Sequence, residues 1–337
     1  MAIVDGTFHF TQTPANPAYV PTVMIAPTEL QMSFFDRVKN TISHFLMIIH
    51  NYSALWRFDP IFHEVKPTFP GLQDAMQKSS LVFMNSDPFV DFPAPRSSRV
   101  IDIGGISISY GHKSLNQTWS AILDLRPTTI LLSFGTFVQS HAMPERYKKS
   151  IVDAFRSFPD ITFIWKYEKP EDRISEGVDN IIDSMWVPQQ DMLNDPRLTA
   201  FITHGGQGSV TESNAAGIPL IVIPLITDQI RNAYQVKRNG VGIVVVKESL
   251  DTPDNLKSAI EKILQDGSYR EKARKTARFL EKRPFPAKDL FVRNMEFLAE
   301  FGPLRQLDHY GAQLNFIQYY LIDVIAFLSL SIVIPLV

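Results

Sequence analysis

A regular alternation of short apolar runs and amphipathic stretches, beginning after Arg126, constrains the fold of this chain more than any other feature. "TTILLSFGT", "ITFIWKYE", "TAFITH", "IPLIVIP" and "VGIVVV" have the pattern of buried strands, and the segments between them have the pattern of helices. Such alternation predicts an α/β domain whose parallel sheet is covered by helices on both faces. Because ligands bind beyond the carboxyl ends of such strands, the loops after "ILLS", "FITH" and "IVIP" are expected to converge on one cleft.

The junction "FITHGGQGSVTES", Phe201 to Ser213, carries the clearest site signal in the chain. A strand-like run leads into His-Gly-Gly and then into the start of a helix. The glycines let the backbone turn sharply and bring its N–H groups close to a ligand. A helix N-terminus adds unpaired N–H donors and a partial positive charge. The junction therefore predicts an anion site, most simply for a phosphate.

Composition and motif tests exclude several other classes of function. The net charge of −2 gives no reason to expect a nucleic-acid partner, and the absence of cysteine excludes disulfides and thiolate metal sites. The histidines show no metal-ligand spacing, so no metal is expected, and the motifs tested give no reason to expect another cofactor. No G-x-S-x-G motif occurs, a G-x-G-x-x-G that starts at Gly206 is broken by Thr211, and "GISISYGHKS" does not have P-loop spacing.

The last segment of the chain, Phe316 to Val337, is apolar and carries one charge, Asp323. As a helix it would be about 33 Å long, enough for a hydrocarbon core of about 30 Å, so a single-pass membrane span is expected rather than a buried core helix. The first residues have neither the basic nor the apolar region of a secretory signal. An anchor without a signal predicts that another segment targets the chain or that its beginning is missing.

The segment Trp186 to Ala233 resembles the signature segment of the UDP-glycosyltransferases, most closely their animal, membrane-anchored UDP-glucuronosyltransferase branch. The W-x-P-Q opening, the strand into His-Gly-Gly, the glutamate eight residues after the histidine and the terminal Asp-Gln follow the family's order. The resemblance extends to "ILLSFGT", "YVPTVM…MSFFDRVKN" and "YYLIDVIAF", and so covers essentially the whole chain. It implies the α/β fold of a GT-B-type glycosyltransferase, with a complete C-terminal Rossmann-like domain, a partial N-terminal domain and a C-terminal transmembrane helix.

The resemblance implies four parts of the chain. Residues 1–115 would be a remnant of the N-terminal acceptor domain with its linker, and residues 116–300 the UDP-sugar-binding domain. Residues 301–315 would be a juxtamembrane segment and residues 316–337 the transmembrane helix. The globular part is then expected in the lumen of the endoplasmic reticulum, with related transferases as partners in homo- or hetero-oligomers.

The family's nucleoside-binding roles fall on three positions. Trp186 would stack on the uracil ring, although a core tryptophan is the alternative, and Gln189 would help to hold the nucleoside. Glu212 would accept hydrogen bonds from both ribose hydroxyls, since one carboxylate can accept two; the alternative is a solvated helix residue.

The diphosphate-binding roles fall on the junction itself and on one strand end. His204 would bind the diphosphate together with the backbone N–H groups of Gly206, Gly208 and Ser209, and Ser133 would hydrogen-bond the diphosphate or the sugar. The alternatives are a structural histidine and a strand-end turn residue. Many family members have asparagine at the position of Gly208, so here the backbone must supply the contact that this side chain makes.

The sugar-binding roles fall on Asp228 and Gln229, and this pair is compatible with glucuronate and with glucose. A helix N-cap at Thr227 or Asp228 is equally good chemistry for these residues. The implied reaction is transfer of glucuronic acid, or glucose, from the UDP-sugar to a hydroxyl group of a small lipophilic acceptor, with inversion at the anomeric carbon. The donor half lowers the barrier by binding the departing diphosphate, while the acceptor half supplies a general base.

Two hypotheses of function follow, because His9, His44 and His50 do not match the family's base motif. The first is a glycosyltransferase represented by an incomplete sequence. The second is a membrane-anchored UDP-sugar-binding module that acts by pairing with complete relatives. The chain as written is expected to bind UDP and to transfer no sugar.

Two smaller features stay open. Between Lys257 and Arg293 there are 11 basic and 5 acidic residues, which indicates either a solvated amphipathic helix with a linker or a surface for anionic lipid headgroups. Glycosylation sequons at Asn51 and Asn116 are compatible with a lumenal domain but also arise by chance.

Overall fold

The computed structural model describes residues 16–22, 31–108 and 114–333 of the chain. The described residues before residue 109 form two helices and a small parallel sheet: α1 (Phe34–Val65), α2 (Leu72–Gln77), β1 (Val82–Met84) and β2 (Val100–Asp102). The part after residue 113 contains a six-stranded sheet: β3 (Thr128–Ser133), β4 (Ile161–Lys166), β5 (Ile181–Ser184), β6 (Leu198–Thr203), β7 (Leu220–Val222) and β8 (Gly242–Val244).

The long helix α1 starts with a capping box. The Ser33 hydroxyl accepts a hydrogen bond from the Asp36 N–H, and the Asp36 carboxylate accepts one from the Ser33 N–H. This exchange satisfies two donors that the first turn of a helix would otherwise leave unpaired. The sequence indicates a helical stretch around residues 32–56, and α1 continues beyond it, through Pro60 to Val65.

The six-stranded sheet is parallel throughout and has the order β5-β4-β3-β6-β7-β8, which confirms the predicted α/β class and parallel sheet. Its central strands are runs of buried residues because both faces of the sheet are covered. The chain order reverses between β3 and β6, which lie side by side with Ser133 opposite Thr203. Sheets of this order bind ligands in the crevice outside this switch point.

Helices cover both faces of this sheet: α3 (Gln117–Leu123), α4 (Glu145–Arg156), α5 (Gln189–Leu193), α6 (Gln207–Ala216), α7 (Asp228–Asn239), α8 (Asp254–Gln265) and α9 (Ser268–Glu281). On one face, α4 and α8 bury Phe155 and Ile260 in a common core. On the other, α3, α5, α6, α7 and α9 build a second core that includes Trp119. The sequence indicates helices that are closed by Gly217 and Gly240, and this is confirmed for α6 and α7, since these glycines have φ values of +71° and +65°.

The end of the chain consists of α10 (Ala287–Phe301), α11 (Phe316–Tyr319) and α12 (Ile322–Val333). α11 and α12 are separate helices, with Leu321 at φ +56° between them. The 12 residues of α12 span about 18 Å, well short of a hydrocarbon core of about 30 Å. Within the described ranges no helix has the length and apolar character of a membrane span. The predicted transmembrane helix over residues 316–337 is therefore not confirmed, and residues 334–337 lie outside those ranges.

Candidate functional site

The crevice at the switch point is lined by the loops that follow β3 and β6. Gly135 has a φ of +81°, and its N–H donates a hydrogen bond to the Ser133 hydroxyl at 3.2 Å. The His204 ring lies against this turn, because a Cβ on Gly135 would be 3.0 Å from the His204 Cε1. A Cβ on Gly206 would be 2.6 Å from the His204 Nε2. The imidazole therefore occupies space that only glycines at positions 135 and 206 leave open.

The first turn of α6 presents backbone N–H groups beside this imidazole. Its N-cap is Gly206, which has no side chain to accept a hydrogen bond from the first N–H groups. Gly208 is exposed, and a Cβ there would meet no atom within 4 Å. The structure thus brings together His204, Gly206, Gly208 and Ser209, as the sequence predicts for an anion site.

The charge state of His204 is set mainly by burial. Its ring is half-buried, and Nδ1 lies 3.4 Å from the Thr203 hydroxyl. Burial lowers the pKa of His204, while the negative charge of Asp228 opposes that shift. Near neutral pH the ring is therefore uncharged and can donate one N–H to a ligand.

A phosphate ligand should reverse this shift. We expect an NMR titration to place the pKa of His204 below the ordinary value near 6.5, because the buried ring resists charging. Saturating UDP should raise that pKa, because the diphosphate charge stabilises the imidazolium. His204→Gln, which removes the signal, assigns it. A His204 titration that saturating UDP leaves in place would contradict a role in diphosphate binding.

A second cluster joins α5 to α6. The Gln189 side-chain nitrogen donates to a Glu212 carboxylate oxygen at 2.7 Å and lies 3.3 Å from the Ser209 hydroxyl. The other carboxylate oxygen of Glu212 has no hydrogen-bond partner among the described residues. Glu212 is half-buried, and this burial raises its pKa against the opposing hydrogen bond from Gln189. Glu212 is therefore not the solvated helix residue of the alternative interpretation.

Trp186 stands between β5 and α5 and exposes 65% of its surface. Its carbonyl accepts a hydrogen bond from the Ser184 hydroxyl at 2.8 Å, and the following residue, Val187, is buried. The backbone is thus anchored on both sides of an exposed indole. The interpretation of Trp186 as a core residue is wrong, and its exposed ring can offer a flat face to a base.

The start of α7 forms the far side of the crevice. The Asn232 side chain donates to the Asp228 carboxylate at 3.2 Å and to the Gly205 carbonyl at 3.0 Å. Thr227 occupies the N-cap position but makes no side-chain cap hydrogen bond; its hydroxyl donates to the Asp228 carboxylate at 3.0 Å. Thr227 has a φ of +49°, a strained value for a β-branched residue, and such strain is frequent at functional sites.

Two of the predicted site residues are already engaged in the fold. Gln229 is buried, and its side-chain oxygen accepts from the N–H groups of Leu225 and Ile226 at 2.9 and 3.0 Å. Ser133 is fully buried, and its hydroxyl accepts from the Gly135 N–H. These contacts leave the Gln229 side-chain nitrogen for a ligand and favour the turn-supporting alternative for Ser133.

Three residues around the crevice were not predicted as parts of the site: Gly135, Asn232 and Lys166. Gly135 and Thr227 have positive φ values; Gly135 lies in the quoted segment "LLSFGT", and Thr227 was considered only as a helix N-cap. Asn232 lies four residues after Asp228, a spacing that places two side chains on one helix face. The Lys166 ammonium donates to the Gly135 carbonyl at 2.9 Å, and no sequence pattern indicated this contact.

Comparison with known proteins places the chain in a family. A family model described as "UDP-glucoronosyl and UDP-glucosyl transferase" matches residues 4–337. A putative UDP-glucuronosyltransferase of Caenorhabditis elegans, ugt-48, is 31% identical over 297 residues, which are 87% of this chain and 56% of the relative. UDP-glucuronosyltransferase 1A4 of Homo sapiens is 30% identical over 328 residues, which are 96% of this chain and 60% of the relative. UDP-glucosyltransferase 2 of Dactylopius coccus is 28% identical over 327 residues, 96% of this chain and 62% of the relative.

A solved structure shows the same fold. The glycotransferase of kitacinnamycin aligns with a TM-score of 0.56 at 20% identity, over 78% of this chain and 66% of that chain. The α/β glycosyltransferase fold with parallel sheets is thereby confirmed. The chain spans 56–62% of the length of the three relatives named above.

Proposed function

The chain belongs to the UDP-glucuronosyl and UDP-glucosyl transferase family, and from this membership we propose that its six-stranded domain binds a UDP-sugar as donor for glycosyl transfer. The observation that carries the proposal is the His204 ring, held between Gly135 and Gly206 beside the open N-terminus of α6. An imidazole and a helix N-terminus that converge at the carboxyl edge of a parallel sheet suit a diphosphate.

The rest of the donor would extend away from this diphosphate site in two directions. On the α5 side, the uracil would stack on exposed Trp186, and the ribose hydroxyls would donate to the free Glu212 oxygen. On the α7 side, the sugar hydroxyls would donate to the Asp228 carboxylate. The Asn232 side chain, one turn later on α7, donates to both this carboxylate and the Gly205 carbonyl. Each part of the donor thus meets a group of complementary chemistry.

The chemistry of transfer follows from where charge develops. As the bond from the anomeric carbon to the diphosphate breaks, negative charge grows on the departing oxygen, and the His204 N–H and the α6 backbone donors would stabilise it. An acceptor hydroxyl that attacks from the opposite face gives inversion. A general base would take its proton and is worth about 10²–10⁴ in rate. His44 is buried in α1, His50 is exposed there, and His9 lies outside the described residues, so we assign no base.

We propose glucuronate as the transferred sugar and a small lipophilic alcohol or phenol as acceptor, with glucose as the alternative sugar. Relatives named for each sugar support both choices. Calorimetric titration of the chain with UDP, UDP-glucuronate and UDP-glucose tests donor binding and ranks the sugars. Absence of binding by all three nucleotides to a folded chain would refute the donor-site proposal.

Trp186 offers a direct optical test of the same site. We expect UDP to quench tryptophan fluorescence, and Trp186→Ala to abolish the quenching and weaken UDP by about 1–3 kcal/mol, the range for stacking of a base on an aromatic side chain. Trp56, which is 78% exposed on α1, provides the matched control. Trp56→Ala should leave both quenching and affinity unchanged. Quenching that survives Trp186→Ala would place the uracil elsewhere.

A further inference from the structure

The segment that follows β1 is attached to α7 by a buried ion pair. The Asp91 carboxylate accepts from the Arg231 guanidinium at 2.6 Å, with side chains only 6% and 4% exposed. The guanidinium also lies over the Phe92 ring, 5.0 Å from its centroid. A charge pair this deeply buried is held in one geometry, because either partner alone would be left as an uncompensated charge.

Three more side chains of α7 hold the same segment. Gln235 and Asn239 donate to the Val90 carbonyl at 2.8 and 2.7 Å. Arg238 donates to the Asp91 carbonyl at 2.9 Å, and its guanidinium lies 5.5 Å from the centroid of the Phe92 ring. The contacts therefore run along the whole of α7, from Arg231 near its start to Asn239 at its end. We call residues 90–92 the latch.

Of the α7 residues that contact the latch, Arg231 is the nearest in the chain to Asp228, the residue proposed to bind the sugar. Arg231 lies in the first turn of α7, three residues after Asp228 and next to Asn232. Asn232 bridges Asp228 and the carbonyl of Gly205 in the His204 loop. A shift of the first turn of α7 would therefore move Asp228 relative to His204. Trp186 lies between β5 and α5, and Glu212 lies on α6. None of the hydrogen bonds described above joins the latch to these two residues.

We propose that Asp91 is a positioning residue: through Arg231 it fixes the start of α7 and so the place of Asp228 against the sugar of a bound UDP-sugar. This inference rests on the proposed function, since it assigns Asp228 to the sugar. It predicts that only the contacts to the sugar end of the donor are weakened. Loss of the Asp91–Arg231 pair should weaken the sugar's contribution to binding and leave the uridine contribution intact.

The ratio of the UDP-sugar dissociation constant to the UDP dissociation constant isolates this effect. In Asp91→Asn we expect UDP affinity to stay within about twofold and this ratio to rise about tenfold, which corresponds to one hydrogen bond to a charged group. Arg231→Lys, which keeps the charge but loses the guanidinium fork, should act in the same direction. If Asp91→Asn does not fold, the same ratio of dissociation constants is measured in Arg231→Lys.

Asp87 provides the matched control. It lies on the same segment and pairs with Arg283 at 2.9 Å, with side chains 7% and 9% exposed, but Arg283 follows α9 and does not belong to α7. Asp87→Asn removes an equally buried charge and should leave the ratio unchanged. An unchanged ratio in folded Asp91→Asn, or an equal rise in Asp87→Asn, would overturn the proposal.

Amide hydrogen exchange measured without ligand tests this inference independently of the proposed function. Amides of residues 228–234 should exchange faster in Asp91→Asn than in Asp87→Asn, because the first turn of α7 loses its attachment. If the wild-type chain binds no uridine nucleotide, the donor proposal fails and exchange alone decides whether Asp91 positions α7. Equal exchange in the two variants would then refute the proposal that Asp91 fixes the start of α7.

Discussion

Replacing Glu212 with alanine is expected to weaken UDP binding by about 1.5–3 kcal/mol, the range for hydrogen bonds to a charged group. Glu212 has one carboxylate oxygen bound by Gln189 and one without a partner among the described residues, and the free oxygen can accept from a ribose hydroxyl. Calorimetric titration of UDP measures the loss. Glu176→Ala is the control, because Glu176 is an exposed surface residue whose carboxylate pairs with Arg173 and not with a residue of either cluster. Unchanged affinity in a folded Glu212→Ala protein would remove Glu212 from the site.

The same residue should show opposite effects on binding and on stability. Burial raises the pKa of Glu212 above 4.5, so the folded chain binds more protons than the unfolded chain between 4.5 and the raised pKa. Stability therefore falls as pH rises through that window, and the loss persists at neutral pH. Glu212→Gln should accordingly melt at a higher temperature than wild type at pH 7 and still bind UDP more weakly. A lower melting temperature would show that the carboxylate stabilises the fold.

Gly206→Ala is expected to lower UDP affinity at least about tenfold, whereas Gly208→Ala, two residues later, should not lower it. A Cβ on Gly206 would be 2.6 Å from the His204 Nε2, so the ring must shift and would lose the hydrogen bond that we propose it donates to the diphosphate. A Cβ on Gly208 meets no atom within 4 Å, so alanine there displaces no neighbouring group.

Titration with UDP and thermal melting distinguish these two glycine variants. Because both lie at the start of α6, a general disturbance of the helix would affect them alike. Equal loss of affinity in the two variants would contradict the specific contact between Gly206 and His204. Loss of affinity in Gly208→Ala alone would show that the ligand needs the open space beside residue 208 and does not depend on the contact between Gly206 and His204.

Periodicity predicted five of the six strands of the large sheet because they are apolar runs, whereas the edge strand β5, with three of its four residues only partly buried, was not predicted. The strand runs of "ILLS" and "FITH", the helix between Gln207 and Gly217, and the convergence of loops at one edge all follow from local pattern and from the rules of parallel sheets. Resemblance to the family then identified His204, Glu212 and Trp186, which lie around that edge.

The contacts that support the site could not be predicted because they join residues far apart in the chain. Lys166 reaches the Gly135 carbonyl, and Asp91 reaches Arg231, across distances that no sequence window includes. The extent of α1 was also missed, since a proline ordinarily ends a helix, yet α1 continues beyond Pro60. The two hydrogen bonds that the Gln229 side chain accepts from Leu225 and Ile226 could not be predicted either, because the conformation of this loop is fixed only by the surrounding fold.

The position of β3 between β4 and β6 has a consequence for how the protein folds. Residue 129 pairs with residue 162 on one side and with residue 198 on the other. The first partnership closes a short loop and can form while synthesis is still in progress, whereas the second must wait for a much longer stretch of chain. The crevice lies at the second partnership. We therefore expect the two edges of the crevice to come together late in folding, after β3 and β4 have paired.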